Sequence, residues 1–189
     1  EHFVAVFDVI TERKQAEEER ELIVALMHLL NAPGKLHELM QSVTALLQNW
    51  TGCEAIGIRL RDGEDYPYFE PSGFPAAFIQ KENQLCAYDR EGQIQRDSAG
   101  NPVLECMCGN VLCGRFDPAQ PFFTTQGSFW SNNTTALLAS STEADRQART
   151  RNRCNGEGYE SVALIPLRAV HQVFGLLQFN DPRPDRFTP

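Results

Sequence analysis

The sequence predicts an α+β fold, and three stretches carry that expectation. Leu36, Leu39, Met40, Val43, Leu46, Leu47 and Trp50 recur at the i, i+3, i+4, i+7 spacing of an amphipathic helix, and Gly52 follows as its stop. In "EAIGIRLRDG", Ala55, Ile56, Ile58 and Leu60 read as a strand that ends at the turn signal Asp62-Gly63. Towards the other end, "ESVALIPLRAVHQVFGLLQFND" holds two apolar strands joined around Ala169 to Gln172, an antiparallel hairpin.

The remaining elements fall into place around these. "FVAVFDVI", Phe3 to Ile10, is β-branched and aromatic with partial alternation and is expected to be a strand. Thr11 can cap the segment that follows, which reads as a helix until Asn31, Pro33 and Gly34 stop it. Its first half is charged, whereas Leu22, Ile23, Leu26, Leu29 and Leu30 form an apolar stripe. "DYPYFEP" predicts a short strand, and "FPAAFIQKEN" one or two helical turns with Pro75 near the first position. Between Asn83 and Glu160 regular periods fade, and this stretch holds five of the six cysteines. Long irregular segments inside compact domains tend to be functional.

Composition narrows the function classes. With 189 residues and 42% hydrophobic content the chain can bury a core, and its length fits one domain with extra elements. Its 17 basic and 25 acidic residues give a net charge of −8, which argues against a nucleic-acid partner and against contact with an anionic membrane surface. There is no apolar run long enough to span a bilayer and no signal-peptide pattern, so a cytoplasmic setting with reduced thiols is expected. A chain that begins at Glu1 is expected to be a piece of a longer protein.

Two pieces of the chain resemble known families. "FDVITERKQAEEE", with Asp8, Ile10, Thr11, Glu12, Arg13 and Lys14, is similar to the end of a PAS domain, where the last strand runs into a signalling helix. From Leu22 to about Asp181, the helix-into-strand stretch "LHELMQSVTALLQNWTGCEAIGIRLRDG" and the closing pair "YESVALIPLRAVHQVFGLLQFND" resemble a GAF domain. The resemblance implies a central antiparallel sheet with helices on one face, a ligand pocket on the other, and an N-terminal signalling helix. It divides the chain into 1–10 as the end of a PAS-like domain, 11–31 as a linker helix and 32–189 as a GAF-like domain with a cysteine-rich insertion at about 83–160. It further implies the signal-input part of a two-component sensor histidine kinase, with the kinase domain downstream and no enzyme activity in this fragment. GAF domains usually close with a helix beside the first one, and this chain stops at Pro189, so the stripe on 12–30 is expected to pair with a second copy.

Chemistry concentrates in "LECMCGNVLCG". Gly109-Asn110 is a two-residue hairpin signal that would set Cys106 against Cys113 and bring Cys106, Cys108 and Cys113 to one face; a helix beginning at Asn110 would scatter them. Cys154, with Cys86 behind it, can complete a set of metal or redox ligands. The C-x-C spacing fits no standard zinc, iron-sulfur or c-type haem motif, so packing, a metal or haem cofactor, and redox chemistry all stand open. Histidine offers little: His28 and His37 lie on or beside the helical stripes and His171 in the hairpin turn. The run Arg146, Arg149, Arg151 and Arg153 suits an anionic group, and with Trp130, Asn132 and Tyr159 the pair Arg151 and Arg153 forms the candidate ligand-binding set. A rival activity comes from free methionine sulfoxide reductases, which resemble GAF domains; there Cys108 or Cys113 would attack, Cys154 or Cys86 would resolve, and Arg153 would lower a thiol pKa.

Overall fold

The structure, a computed structural model, describes residues 2–147, 150–170 and 172–187, with side chains from residue 13 onward. Arg149 and His171 lie outside the described residues. The chain opens with α1 (His2–Asn31), a single helix of 30 residues. The strand expected at Phe3 to Ile10 is therefore helical. A lone strand would leave its backbone groups without partners, whereas a helix that already runs through 13–31 satisfies its own by extending backwards.

Helix α2 (Leu36–Thr51) matches the apolar periodicity, and Gly52 ends it in the left-handed region at φ 62°, its N–H donating to the Gln48 carbonyl at 2.8 Å. Then come β1 (Ala55–Leu60), β2 (Tyr68–Ser72) and α3 (Ala76–Glu82). The long middle segment carries α4 (Cys106–Leu112), β3 (Phe129–Ser131), α5 (Thr134–Ser140) and the single turn α6 (Arg153–Gly156). The closing hairpin is β4 (Ser161–Ala169) and β5 (Gln172–Asp181).

The strands form one antiparallel sheet in the order β2-β1-β5-β4-β3. Register assigns the two faces. Ile56 opposite Phe179 and Ile58 opposite Leu177 point to the side of α1 and α2, whereas Gly57 opposite Gln178 and Arg59 opposite Leu176 point to the other side. On the helix side Leu47, Cys53, Ile56, Ala163 and Phe179 form a core against which Leu22, Leu26 and Trp130 pack. Part of the stripe expected to await a second copy thus finds its partner inside this chain. Ile23, Met27 and Leu30, on the next face of the same helix, stay more than half exposed.

The opposite face is covered by α3 to α6 and the loops between them, with Leu85, Val111, Leu164 and Leu176 at its centre. Burying each such side chain is worth about 1.5–3 kcal/mol. Gly57 has a packing reason. A Cβ there would come within 2.6 Å of the Tyr68 ring, which lies across it.

Candidate functional site

The site is built where α4 begins. Glu105 is extended, and Cys106 then adopts φ 65°, an unusual backbone state for a residue with a Cβ. Gly109 makes the tight entry possible, because a Cβ there would sit 2.6 Å from both the carbonyl carbon and oxygen of Leu104. The hairpin expected at Gly109-Asn110 is instead the middle of this helix. Asn110 is fully buried and works as a tie: its Nδ2 donates to the Arg146 carbonyl at 2.6 Å, and its Oδ1 accepts from Arg115 Nε at 3.0 Å. A turn residue exposed to solvent would have had neither bond.

This geometry gives the thiols different characters. The Cys106 sulfur accepts a hydrogen bond from the Cys108 thiol, which outweighs its burial, and further bonds from the N–H groups of Arg151, Met107 and Cys108; together they bring its pKa down to about 6. Cys108, the donor of the first bond, is pushed well above the ordinary thiol range by that bond and by burial. Burial takes Cys154 up to about 12, with the negative charge of Cys106 adding to it, and Gln178 Nε2 lies 3.8 Å from its sulfur. Cys106, Cys108 and Cys154 line one small cavity of about 60 Å³.

The other cysteines are elsewhere. Cys113 is exposed on a groove with Arg61, Asp97 and Arg115, and Cys86 is buried beside Asp65, its thiol pushed up to about 11 by burial first and by Asp65 and Glu64 after it. Among the described residues no three His, Cys, Asp or Glu side chains come close enough to hold a metal ion. The expected ligand set Cys106, Cys108, Cys113, Cys154 with Cys86 is thus not brought together: α4 turns Cys113 away at its far end. As to the nucleophile of the rival reading, Cys106 rather than Cys108 or Cys113 has the lowered pKa, and hydrogen bonds rather than Arg153 lower it.

The candidate ligand-binding residues also separate. Arg153 lines the cavity, but its Nε is turned to Glu82, the carboxylate that Arg151 Nη1 approaches at 3.6 Å. Arg151 also binds Glu105 at 2.8 Å and the Gln84 carbonyl at 2.7 Å, which fastens the 150–152 strap over the start of α4 and brings the Arg151 N–H onto the Cys106 sulfur. Trp130 points to the opposite face of the sheet, because only Phe129 and Ser131 of its short strand face the cavity side. Asn132 clamps the C-terminal segment, giving Nδ2 to the Phe187 carbonyl at 2.6 Å and accepting the Phe187 N–H at 2.9 Å. Tyr159 packs edge-on against Phe74 and Phe78 and does not line the cavity.

Two buried groups escaped the sequence reading. Arg59, 1% exposed, lies under the site, stacked 3.6 Å from the Tyr68 ring centre and donating to the carbonyls of Tyr66, Glu82 and Asn83. Glu82, 4% exposed, has its pKa raised by burial and by the negative charge of Cys106, against the opposing pull of Arg151, Arg153 and Arg59. An arginine inside an otherwise apolar strand was the available signal for the first. For Glu82, the last residue of a short helix, there was none.

No family model and no curated protein matches this chain. Solved structures do. Free methionine-R-sulfoxide reductase from Neisseria meningitidis, solved in complex with its substrate, superposes with a TM-score of 0.58 at 11% identity, covering 93% of this chain and 79% of that one. The corresponding enzyme of Staphylococcus aureus, also with substrate, gives 0.57 at 14% identity over 89% of this chain and 82% of its own. The GAF domain of an Acinetobacter phosphoenolpyruvate-protein phosphotransferase gives 0.55 at 15% identity over 93% and 81%. The expectation that this fragment carries no enzyme activity is overturned as a reading of the fold, since free methionine-R-sulfoxide reductases stand beside GAF domains among its structural neighbours. What the likeness establishes is the architecture: the chain has a GAF-like α+β fold with a five-stranded antiparallel sheet.

Proposed function

We propose that this chain is a sensory, signal-input module whose cavity thiols respond to oxidants, with α1 as the element that carries the response to an output domain of a two-component histidine kinase. One observation supports the redox part above the others: a buried cysteine sulfur, Cys106, gathers backbone N–H groups and a neighbouring thiol around it at the edge of a cavity. A thiolate so placed attacks a peroxide. The O–O bond breaks, water leaves after protonation, and Cys106 becomes a sulfenic acid. The Cys108 thiol then attacks that sulfur, a disulfide forms and a second water leaves. The exposed Ile23, Met27 and Leu30 on α1 fit a signalling context, in which a helix with two arrangements of similar energy is biased by the site.

The test is mass spectrometry of the full chain after hydrogen peroxide treatment, with and without dimedone to trap a sulfenic acid. Dimedone on Cys106 and a reducible Cys106–Cys108 link are expected. If Cys113 alone is modified at peroxide levels that leave Cys106 untouched, the redox reading fails.

A second reading, reduction of free methionine sulfoxide, draws on the same thiols and on the enzymes that share the fold. Against it stands the cavity wall, where the described residues include no Asp or Glu to meet an amino-acid ammonium group. Turnover of methionine sulfoxide with dithiothreitol as reductant would decide for it.

A further inference from the structure

The peroxide chemistry leaves one cavity thiol unused. Cys154, on α6, shares the wall with Cys106 and Cys108, and the space they line, about 60 Å³, has room for only a few waters. The sheet beneath supplies this thiol with a polar setting. Gln178 and Asn180, 1% and 0% exposed, lie on the cavity side of β5, two residues apart. Tyr68 donates its hydroxyl to Gln178 Oε1 at 2.9 Å, which leaves Gln178 Nε2 to donate to Asn180 Oδ1 at 2.8 Å and to approach the Cys154 sulfur at 3.8 Å. With its oxygen engaged, Asn180 has only Nδ2 to offer. Among the described residues that group has no close hydrogen-bond partner, and its amide draws the Cys154 pKa down against burial. Buried amides are costly unless they are used, so two of them ordered around one sulfur suit a sulfur that carries charge at some stage.

The moment of that charge follows from the neighbours. Burial first, and the negative charge of Cys106 second, hold Cys154 neutral. Oxidation of Cys106 removes its charge, so Cys154 becomes easier to ionise only after the peroxide step. Leaving-group strength then selects the sulfur it attacks. In a Cys106–Cys108 disulfide, the N–H groups of Arg151, Met107 and Cys108 still surround the Cys106 sulfur, whereas Cys108 has burial against its ionised form. Cys106 is therefore the better leaving thiolate, and attack falls on Cys108. The same stabilisation drives the exchange forward, because a disulfide built on a stabilised thiolate is the more oxidising one.

We propose that Cys154 is the terminal thiol of this site: its thiolate, steadied by Gln178 and Asn180, attacks the Cys108 sulfur of the Cys106–Cys108 disulfide and Cys106 leaves as a thiolate. One S–S bond forms as the other breaks, Cys154 gives its proton to water, and no electrons move beyond those the peroxide has taken. The product, a Cys108–Cys154 disulfide, ties α4 to α6 and returns Cys106 to meet a second peroxide. This step rests on the redox reading for its first disulfide.

Non-reducing peptide mapping of the full chain with Cys113→Ser, acid-quenched at intervals after peroxide, tests it. Trypsin leaves Cys106 and Cys108 in one peptide, 97–115, and Cys154 in another, 154–168. An early link within the first peptide is expected to give way to a link between the two, from Cys108, with Cys106 again open to alkylation. Cys154→Ser should stop at the first link. Asn180→Ala removes one charge-assisted donor and should slow the exchange relative to the first step, by about threefold at pH 7 for a midpoint one unit higher, and move its pH profile upward. A Cys106–Cys108 link that persists in the chain with Cys154 present would overturn the proposal and leave the redox reading standing. A link from Cys154 to Cys106, or an Asn180→Ala variant whose exchange keeps its rate and pH profile, would overturn it as well. If Asn180→Ala does not fold, the time course with and without Cys154 decides. If peroxide leaves Cys106 untouched, the redox reading fails; diamide, which oxidises paired thiols directly, then supplies the first disulfide, and passage of the link to Cys154 is read in the same way.

Discussion

Replacing Cys108 by alanine removes the hydrogen bond that does most to hold Cys106 as a thiolate. Burial of the Cys106 sulfur stays, and it favours the neutral thiol. The midpoint should therefore move from about 6 to the ordinary 9.0 or beyond. At pH 7 the thiolate fraction would fall from about nine-tenths to about one part in a hundred. A more basic thiolate is also the better nucleophile, by about 20-fold over three units at a Brønsted slope near 0.45, so the alkylation rate at pH 7 alone would drop only about fourfold. The informative assay is the whole pH profile of iodoacetamide alkylation at Cys106, read by mass spectrometry in a Cys113→Ser background that removes the exposed thiol. Cys108→Ser supplies a hydroxyl donor in place of the thiol and should restore most of the low midpoint while abolishing the Cys106–Cys108 disulfide. An unaltered chain whose Cys106 titrates near 9, or a Cys108→Ala variant with an unmoved midpoint, would refute the account of the site.

Gly109→Ala would drive a Cβ to 2.6 Å from the Leu104 backbone, where no flexible side chain can yield, so a loss of about 2–4 kcal/mol in urea denaturation is expected together with a raised Cys106 midpoint. Unchanged stability would mean that α4 does not enter as described. On α1, Ile23, Met27 and Leu30 follow the four-three spacing of a coiled-coil seam and are exposed, whereas Leu22 and Leu26 are committed to the core. We propose that this outer seam joins two copies; light scattering should find a dimer that Ile23→Glu with Met27→Glu converts to a folded monomer. A monomeric parent chain at high concentration would count against it.

Much of the scaffold was legible because it rests on repeats that one residue's neighbours can specify. The 3.6-residue period of Leu36 to Trp50, the stop at Gly52 and the apolar runs of β1, β4 and β5 need no distant information. Strand β3 was missed since three residues carry no period, and its place is fixed only by pairing Phe129 with Leu164. Phe3 to Ile10 misled for a related reason: β-branched composition describes a strand only if a neighbouring strand is there to bond it.

The site divides in the same way. By itself the sequence determined that five of the six cysteines and a run of arginines crowd the segment 83–160. Only the tertiary structure decided their roles. The choice between hairpin and helix at Gly109-Asn110 depends on whether Leu104 lies against Gly109 and whether Arg146 returns to meet Asn110, contacts 5 and 36 residues apart. The same packing sends Cys113 outward and sets Arg151 and Arg153 on Glu82. A thiol's pKa belongs to its three-dimensional surroundings, because hydrogen bonding and desolvation act through space and not along the chain.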